Sequence, residues 1–400
     1  MLMSDNIEYK PFGQLLKKVA DNRGKTCPTA SSGIPLIATN CIKNENLYPV
    51  FEKVRYVSQD IFDHWFRGHP EPGDMIFVTK GTPGRVCWVP NPLNFCIAQD
   101  MVAIRADEKK IYPKYLFAAL RSPNIQGEIE NLHVGSLIPH FKKGDFNDLK
   151  IPILDLSIQR YIGDLYMTLS LKIDLLHRQN KTLEALAETL FKQWFVEEVE
   201  EGWETKTLED LIIFDPRERV SNDTEYTFFD MKCLSDSTMA ISDGIKRIVN
   251  SGSSFRNGDT LLAKITPCLE NGKTGFVMNL EEDELARGST EFIVMRAKEG
   301  VSPYFVYCMA RYSDFRNTAI LSMTGTSGRQ RVQTAVLKDY EIKYSKDTIK
   351  NFHNTCHPYF KKIRKNQIQI RTLTRLRDTL LPKLMSGEVR VKDAEKKAII

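Results

Sequence analysis

Two glycine-bearing loops of this 400-residue chain carry side chains suited to reading a surface, with no bond made or broken. In one, Gly135-Ser136 precedes His140, Lys142 and Lys143; in the other, Gly325-Thr326 precedes Arg329, Gln330 and Arg331. Glycine lets the backbone approach a phosphate, and a basic or amide side chain nearby can then reach into a groove. Arg329 can bond a guanine edge and Gln330 an adenine edge, each good pair discriminating by ~1–3 kcal/mol. Lys80 and Arg85 flank the turn Gly81-Thr82-Pro83-Gly84, and Lys264 and Lys273 occupy the corresponding stretch further along. The plainer reading of each residue is a turn with solvated charges, which predicts no base preference.

The spacings that bond-making chemistry needs are missing. Gly272-Lys273-Thr274 has Pro267 where a phosphate-binding loop starts with glycine, so ATP-driven work is not encoded. Asn91-Pro92-Leu93-Asn94 lacks the aromatic ending of an amino-methyltransferase motif, and Glu341-Ile342-Lys343 supplies only part of a nuclease's metal-binding pattern. His353 and His357 share a helical face, with Asn354 where a zinc protease has glutamate. Eight scattered cysteines without a CxxC pair fit reduced thiols. No catalytic residue, metal or bound cofactor is expected on the chain itself. A net charge of +5 is too mild to announce a nucleic-acid binder, so an anionic partner must be met by local patches. No apolar run is long enough for a membrane span, and the start MLMSDNIEYK lacks a signal-peptide pattern, so a cytoplasmic protein is expected.

The elements that must hold the loops emerge when the sequence is compared with itself. At an offset of about 190, Leu183, Leu186, Thr189 and Leu190 fall on Leu373, Leu376, Thr379 and Leu380, Pro113 falls on Pro303, and Gly135-Ser136 falls on Gly325-Thr326. His140 and Gln330 then occupy equivalent positions and differ as two unlike targets would require. Each repeat begins with short β-prone runs broken by turn signals and ends in a helix. The chain divides into a mixed α/β domain at 1–154, a helix at 155–201, a second such domain at 202–345, a second helix at 346–390 and a basic tail at 391–400. Ser157 and Asp347 are the expected N-caps. Ile162, Leu169, Leu176, Leu183 and Leu190 keep a seven-residue step, matched by Phe352, Tyr359, Leu373 and Leu380, with Asn366 in the same phase. Pro358 and Pro382 predict a kinked or shortened second helix.

Charge supports pairing of the helices. Between Asp174 and Glu201 seven acidic residues face three basic ones, whereas Lys361 to Lys397 holds twelve basic and four acidic. Each exposed pair contributes only a few tenths of a kcal/mol. Antiparallel helices would set the two domains at opposite ends of a rod about 60 Å long for forty residues, or roughly 18 base pairs of duplex. Trp194 and Phe195, near the end of the first helix, are candidate anchors for a partner protein.

PGDMIFVTKGTPGRVCWVP, GDTLLAKITPCLENGKTG, NKTLEALAETLFKQWFVE and LRDTLLPKLMSGEVRV together resemble the specificity (S) subunits of type I restriction-modification systems. The resemblance spans about 70–390 and is weakest over the first sixty residues. It implies two target recognition domains, each reading half of a bipartite duplex, and helices that form an antiparallel coiled-coil spacer. It also implies docking of methyltransferase (M) subunits, expected to number two, with a restriction (R) subunit as a further partner. S-adenosylmethionine, ATP and Mg²⁺ would then belong to those partners. The competing class is a coiled-coil scaffold with two protein-binding domains and no DNA contact, which predicts no salt-dependent DNA affinity.

Overall fold

Continuous apolar runs such as Met75–Val78 and Phe292–Met295 cannot sit on a half-solvated sheet, and in the structure they form central strands buried on both faces. The computed structural model describes residues 7–22, 25–132, 139–221, 223–326 and 328–389. The first set of strands is β1 (Glu8–Pro11), β2 (Leu16–Asp21), β3 (Ile34–Ile37), β4 (Arg55–Val57), β5 (Met75–Val78), β6 (Val86–Trp88), β7 (Cys96–Ile97), β8 (Met101–Ala106) and β9 (Lys150–Ile153). With them come helices α1 (Gln59–His64), α2 (Pro113–Leu120), α3 (Pro123–Asn131) and the long α4 (Leu156–Lys192). The second set is β10 (Glu204–Thr207), β11 (Ile212–Phe214), β12 (Glu225–Phe229), β13 (Ile245–Ile248), β14 (Ser253–Phe255), β15 (Thr260–Ala263), β16 (Thr274–Phe276), β17 (Ala286–Gly288), β18 (Phe292–Ala297) and β19 (Glu341–Tyr344). Its helices are α5 (Leu208–Leu211), α6 (Pro303–Arg311), α7 (Ser313–Leu321), α8 (Thr334–Lys338) and the long α9 (Lys346–Met385). Among the described residues no helix is long and apolar enough to cross a membrane.

The internal repeat is a repeat of topology. The sheet β2-β8-β5-β6 has its counterpart in β11-β18-β15-β16, and β4-β3-β7 in β13-β12-β17-β14. In each set a parallel pair, β3 with β7 or β12 with β17, sits among antiparallel ones. The antiparallel pairs β1·β9 and β10·β19 lie at the feet of the long helices. Pro113 and Pro303 open α2 and α6 at the first helical turn, where a missing N–H is no loss. The chain forms two compact units, Met1–Leu175 with Arg371–Ile400 and Leu176–Ile370, so each domain takes part of both long helices into its own core.

The helix caps lie two residues before the expected ones. Gln159 N–H donates to the Asp155 carbonyl, and Ile349 N–H to the Ser345 carbonyl, whose side-chain Oγ also accepts from Thr348 N–H at 3.3 Å. Asp155 and Ser345, not Ser157 and Asp347, are therefore the caps. The expected break at the prolines does not occur: α9 is unbroken from Lys346 to Met385, through Pro358 and Pro382. Packing of its apolar face in each unit outweighs the lost hydrogen bonds. The first helix ends in a π-helical turn, Gln193–Glu197, where five-residue spacing brings Lys192 to Glu197 and Gln193 to Glu198.

Within each unit the two helices run antiparallel, but the seam lies off the leucine phase. Ile162, Leu176 and Phe352 are fully buried, whereas Leu169, Leu183, Leu190, Tyr359, Leu373 and Leu380 lie half-buried on its flank. The buried line runs instead through Tyr166, Ser170 and Ile173 in the first unit. In the second it runs through Glu184, Ala187 and Phe191, facing Cys356, Phe360 and Ile363. The domain helices α2 and α6 also pack on the pair, so its buried face is turned toward them rather than along a two-helix stripe.

Several polar groups in the seam have specific partners, while Asn366 Oδ1 and Ser170 Oγ are buried without a hydrogen bond among the described residues. In the second unit Asn366, fully buried, donates to Asn180 Oδ1 at 2.8 Å. Glu184 accepts from the Tyr307 hydroxyl and, at 3.1 Å, from Met239 N–H. In the first unit Gln159 accepts from Tyr112 N–H at 2.9 Å and donates to the Leu154 carbonyl at 2.7 Å. Arg377 lies 5.4 Å from the Tyr166 ring centroid, and Arg121 stacks on Phe117 and Tyr166.

Burial pushes the Glu184 carboxyl above its ordinary value of 4.5, so the folded chain holds this proton where the unfolded chain has lost it. Its contribution to stability is present below the unfolded value and is lost as pH rises through the raised folded one. Denaturant unfolding of the full chain should show that Glu184→Gln flattens this fall as pH rises above the ordinary carboxyl value. Glu184→Ala strands the Tyr307 hydroxyl and the Met239 amide and should cost about 1–3 kcal/mol at any pH.

Candidate nucleic-acid interface

The stems of the two loops singled out by sequence are built the same way. In the first unit the chain leaving β5 pairs with the loop's return strand: Phe141 N–H donates to the Thr79 carbonyl at 2.8 Å and Gly81 N–H to Pro139 at 3.0 Å. That makes Lys80 and His140 an antiparallel bridge. Phe141, fully buried against Phe77 and Phe146, anchors the stem and leaves His140 and Lys142 exposed. In the second unit Val332 N–H donates to the Lys264 carbonyl at 2.9 Å and Thr266 N–H to Gln330 at 3.1 Å, with Ile265 bridging Arg331. A further bridge, Thr324 with Arg331, closes the base of this loop.

Superimposing these hydrogen bonds corrects the alignment by one residue. His140 corresponds to Arg331, and Pro139 to Gln330, because one more residue separates the two stems than the offset of 190 allows. Arg85 and Lys273 do correspond: their carbonyls accept from Val78 and Ala263 N–H at 2.9 and 3.1 Å. Gly135-Ser136 lies outside the described residues.

The side chains divide into those left for solvent and those used internally. Arg329 is exposed and forms no ion pair among the described residues, and Gln330 is half-exposed. Lys80, Arg85 and Lys264 are half-buried at the loop stems. Arg331 grips Glu291 through Nε at 3.0 Å and Nη2 at 2.6 Å, and this hydrogen bonding holds the Glu291 carboxyl below its ordinary value. Half of the Arg331 side chain stays exposed. Lys143 pairs with Asp21. Lys273 donates to the Met231 and Leu234 carbonyls, each at 2.9 Å, so it braces an adjacent turn and does not face outward. Phe195 is likewise spent within its own unit, 2% exposed among Phe305, Phe352 and Trp203, and Trp194 is half-buried against Phe352. The π-helical turn points Phe195 inward, which removes it as an anchor for a partner.

His353 and His357 stack beside Tyr304, with their Nδ1 atoms at 3.3 Å from Ser302 Oγ and 2.9 Å from Tyr304 Oη. Among the described residues no group of three or more His, Cys, Asp or Glu could hold a metal. Sequence reasoning missed Glu184, hidden in a leucine-rich helix, and Arg121, whose two Nη atoms are buried without a partner beside Phe117. It also missed the exposed edge strand β13, because IKRI shows no clean alternation.

Gly325 keeps the second loop in shape. Its φ of +130° is a glycine conformation, and a Cβ there would stand 2.9 Å from the Arg329 carbonyl oxygen. Gly325→Ala should therefore cost the loop about 1–3 kcal/mol locally. Hydrogen exchange at Thr324 and Arg331 N–H should accelerate while the melting temperature of the whole chain changes little.

Comparison with known proteins places this geometry. Residues 10–185 match the model of the type I restriction modification DNA specificity domain. The chain is 24% identical to the type I restriction enzyme MjaIX specificity subunit of Methanocaldococcus jannaschii, over 80% of this chain and 78% of that protein. It is 29% identical to the EcoEI specificity subunit of Escherichia coli, over 38% of this chain and 26% of that one. The crystal structure of the type I restriction-modification S subunit from M. genitalium shares the fold, with a TM-score of 0.54 at 14% identity, covering 96% and 98% of the two chains. Residues 10–185 are thus similar to a type I restriction modification DNA specificity domain, and similarity to a specificity subunit continues over most of the chain.

Proposed function

We propose that this chain is the non-catalytic, sequence-reading subunit of a type I restriction-modification enzyme. Each unit reads one half of a bipartite duplex through its glycine-bearing loop, and the long helices set the gap between the halves and dock M subunits. An R subunit completes a restriction-competent complex, and S-adenosylmethionine, ATP and Mg²⁺ act on those partners in the cytoplasm. The observation that carries this reading is the pair of loops held by the same stem hydrogen bonds but tipped differently. His140 and Lys142 are exposed on one; on the other Arg329 is exposed and Gln330 half-exposed. Such a pair suits two unlike half-sites, since a shared stem fixes approach while the tip sets base preference.

The test combines selection and substitution. The full chain is challenged at fixed salt with a pool of random duplexes about 40 base pairs long, long enough for two half-sites and their gap. Retained sequences should show a split motif, with affinity falling steeply as salt rises. Arg329→Ala with Gln330→Ala should relax one half only, by on the order of tenfold. Absence of any salt-dependent duplex binding would instead favour the scaffold reading.

A further inference from the structure

In the second unit, β13 is the edge of its sheet and all four of its residues are exposed, Ile245 by 61% and Ile248 by 56%. Natural edges avoid this combination, because unpaired backbone groups beside large apolar side chains invite association. Lys246 and Arg247 alone could serve as edge guards, but guards flanked by two exposed isoleucines guard poorly.

The first unit shows how the same edge is otherwise treated. β4, the counterpart of β13, is shorter, and Val57 in it is fully buried in a cluster with Phe66, flanked by Ile61, Phe62 and Trp65 of α1 and the residues after it. Between β13 and β14 the second unit has no helix. The cover has been dropped, and the exposed strand has two basic residues at its centre.

The side chains are also prearranged. Strand alternation puts Ile245 and Arg247 on one face of the β12–β13 ribbon and Lys246 and Ile248 on the other, so each face presents one cation and one branched apolar group. The Arg247 guanidinium carbon lies 3.6 Å from the Phe228 ring centroid, which positions it over that ring. Lys246 is oriented by Glu284 at 3.0 Å, which also accepts from Thr227 Oγ1 at 2.5 Å.

We propose that the β12–β13 ribbon is a second DNA-reading element of this unit, entering the major groove. A two-stranded ribbon fits that groove, cations meet phosphates or guanine, and an isoleucine can meet the thymine methyl. The inference rests on the DNA reading given above and adds a reading surface for one half-site alone. The rival occupant is a protein strand added to the same edge.

Two double variants of the full chain separate these outcomes in the same random-duplex selection. Ile245→Ser with Ile248→Ser should relax base preference in one half of the motif and leave the salt dependence unchanged. Lys246→Ala with Arg247→Ala should weaken binding on the order of tenfold and reduce the slope of log affinity against log salt by about 1–2. Thermal unfolding should match the parent in both, since the side chains are exposed. If the parent selects a motif and both variants select it with equal affinity and slope, the ribbon proposal is wrong while the DNA reading stands. If the variants keep DNA selection but lose a co-purifying protein subunit, the edge pairs with a protein strand and the proposal is again overturned. If the parent retains no duplex at all, the DNA reading fails and the ribbon proposal with it.

Discussion

Register in the helix seam is fixed by buried polar groups with specific partners. Leucine tolerates a slip of one heptad, because another leucine takes its place. Asn366 does not, since its amide would lose Asn180, and Glu184 would lose both the Tyr307 hydroxyl and the Met239 amide. Stranding such groups costs more than a typical apolar contact returns. Everything that sits on the helices follows from this choice, including α6 beneath the second unit's sheet and the strands whose ends carry the loop.

The two units solve the same packing problem with different chemistry. At the offset of 190, Tyr307 of the Glu184 pair corresponds to Phe117, and Arg311 corresponds to Arg121. Arg311 reaches Glu188 at 3.2 Å and the Gly272 carbonyl at 3.1 Å, the arrangement expected of a buried guanidinium. Arg121 has aromatic faces in place of an acid: Phe117 lies 5.1 Å and Tyr166 5.9 Å away. One repeat thus uses an ion pair where the other uses a cation on rings. Halves of the helix pair are therefore not interchangeable, although their leucines align.

Much of this was legible in the sequence. The repeat appeared because topology constrains glycines, prolines and apolar runs together, and Pro113 with Pro303 held the offset through α2 and α6. The helix caps were misplaced by two residues because Asp155 and Ser345 are as good caps as Ser157 and Asp347, and only the backbone turn distinguishes them. The seam was read along the leucines, which missed it because the domain helices rotate the buried face. Alignment of the loop tips failed by one residue, since stem pairing is set by hydrogen bonds between distant segments. Lys273 and Phe195 show the same limit from the other side: type and spacing mark a residue as able to make a contact, while the fold decides whether that capacity is already taken.

The division into compact units has a practical side. Because each domain closes its core with part of both long helices, a cut where globular domain meets helix, near 155 or 346, would open a core. The seamless crossing points lie inside the helices, between Leu175 and Leu176 and between Ile370 and Arg371. A chimera that exchanges Leu176–Ile370 as one block would carry its seam hydrogen bonds and loop stem intact, and so inherit a whole compact unit rather than a truncated one.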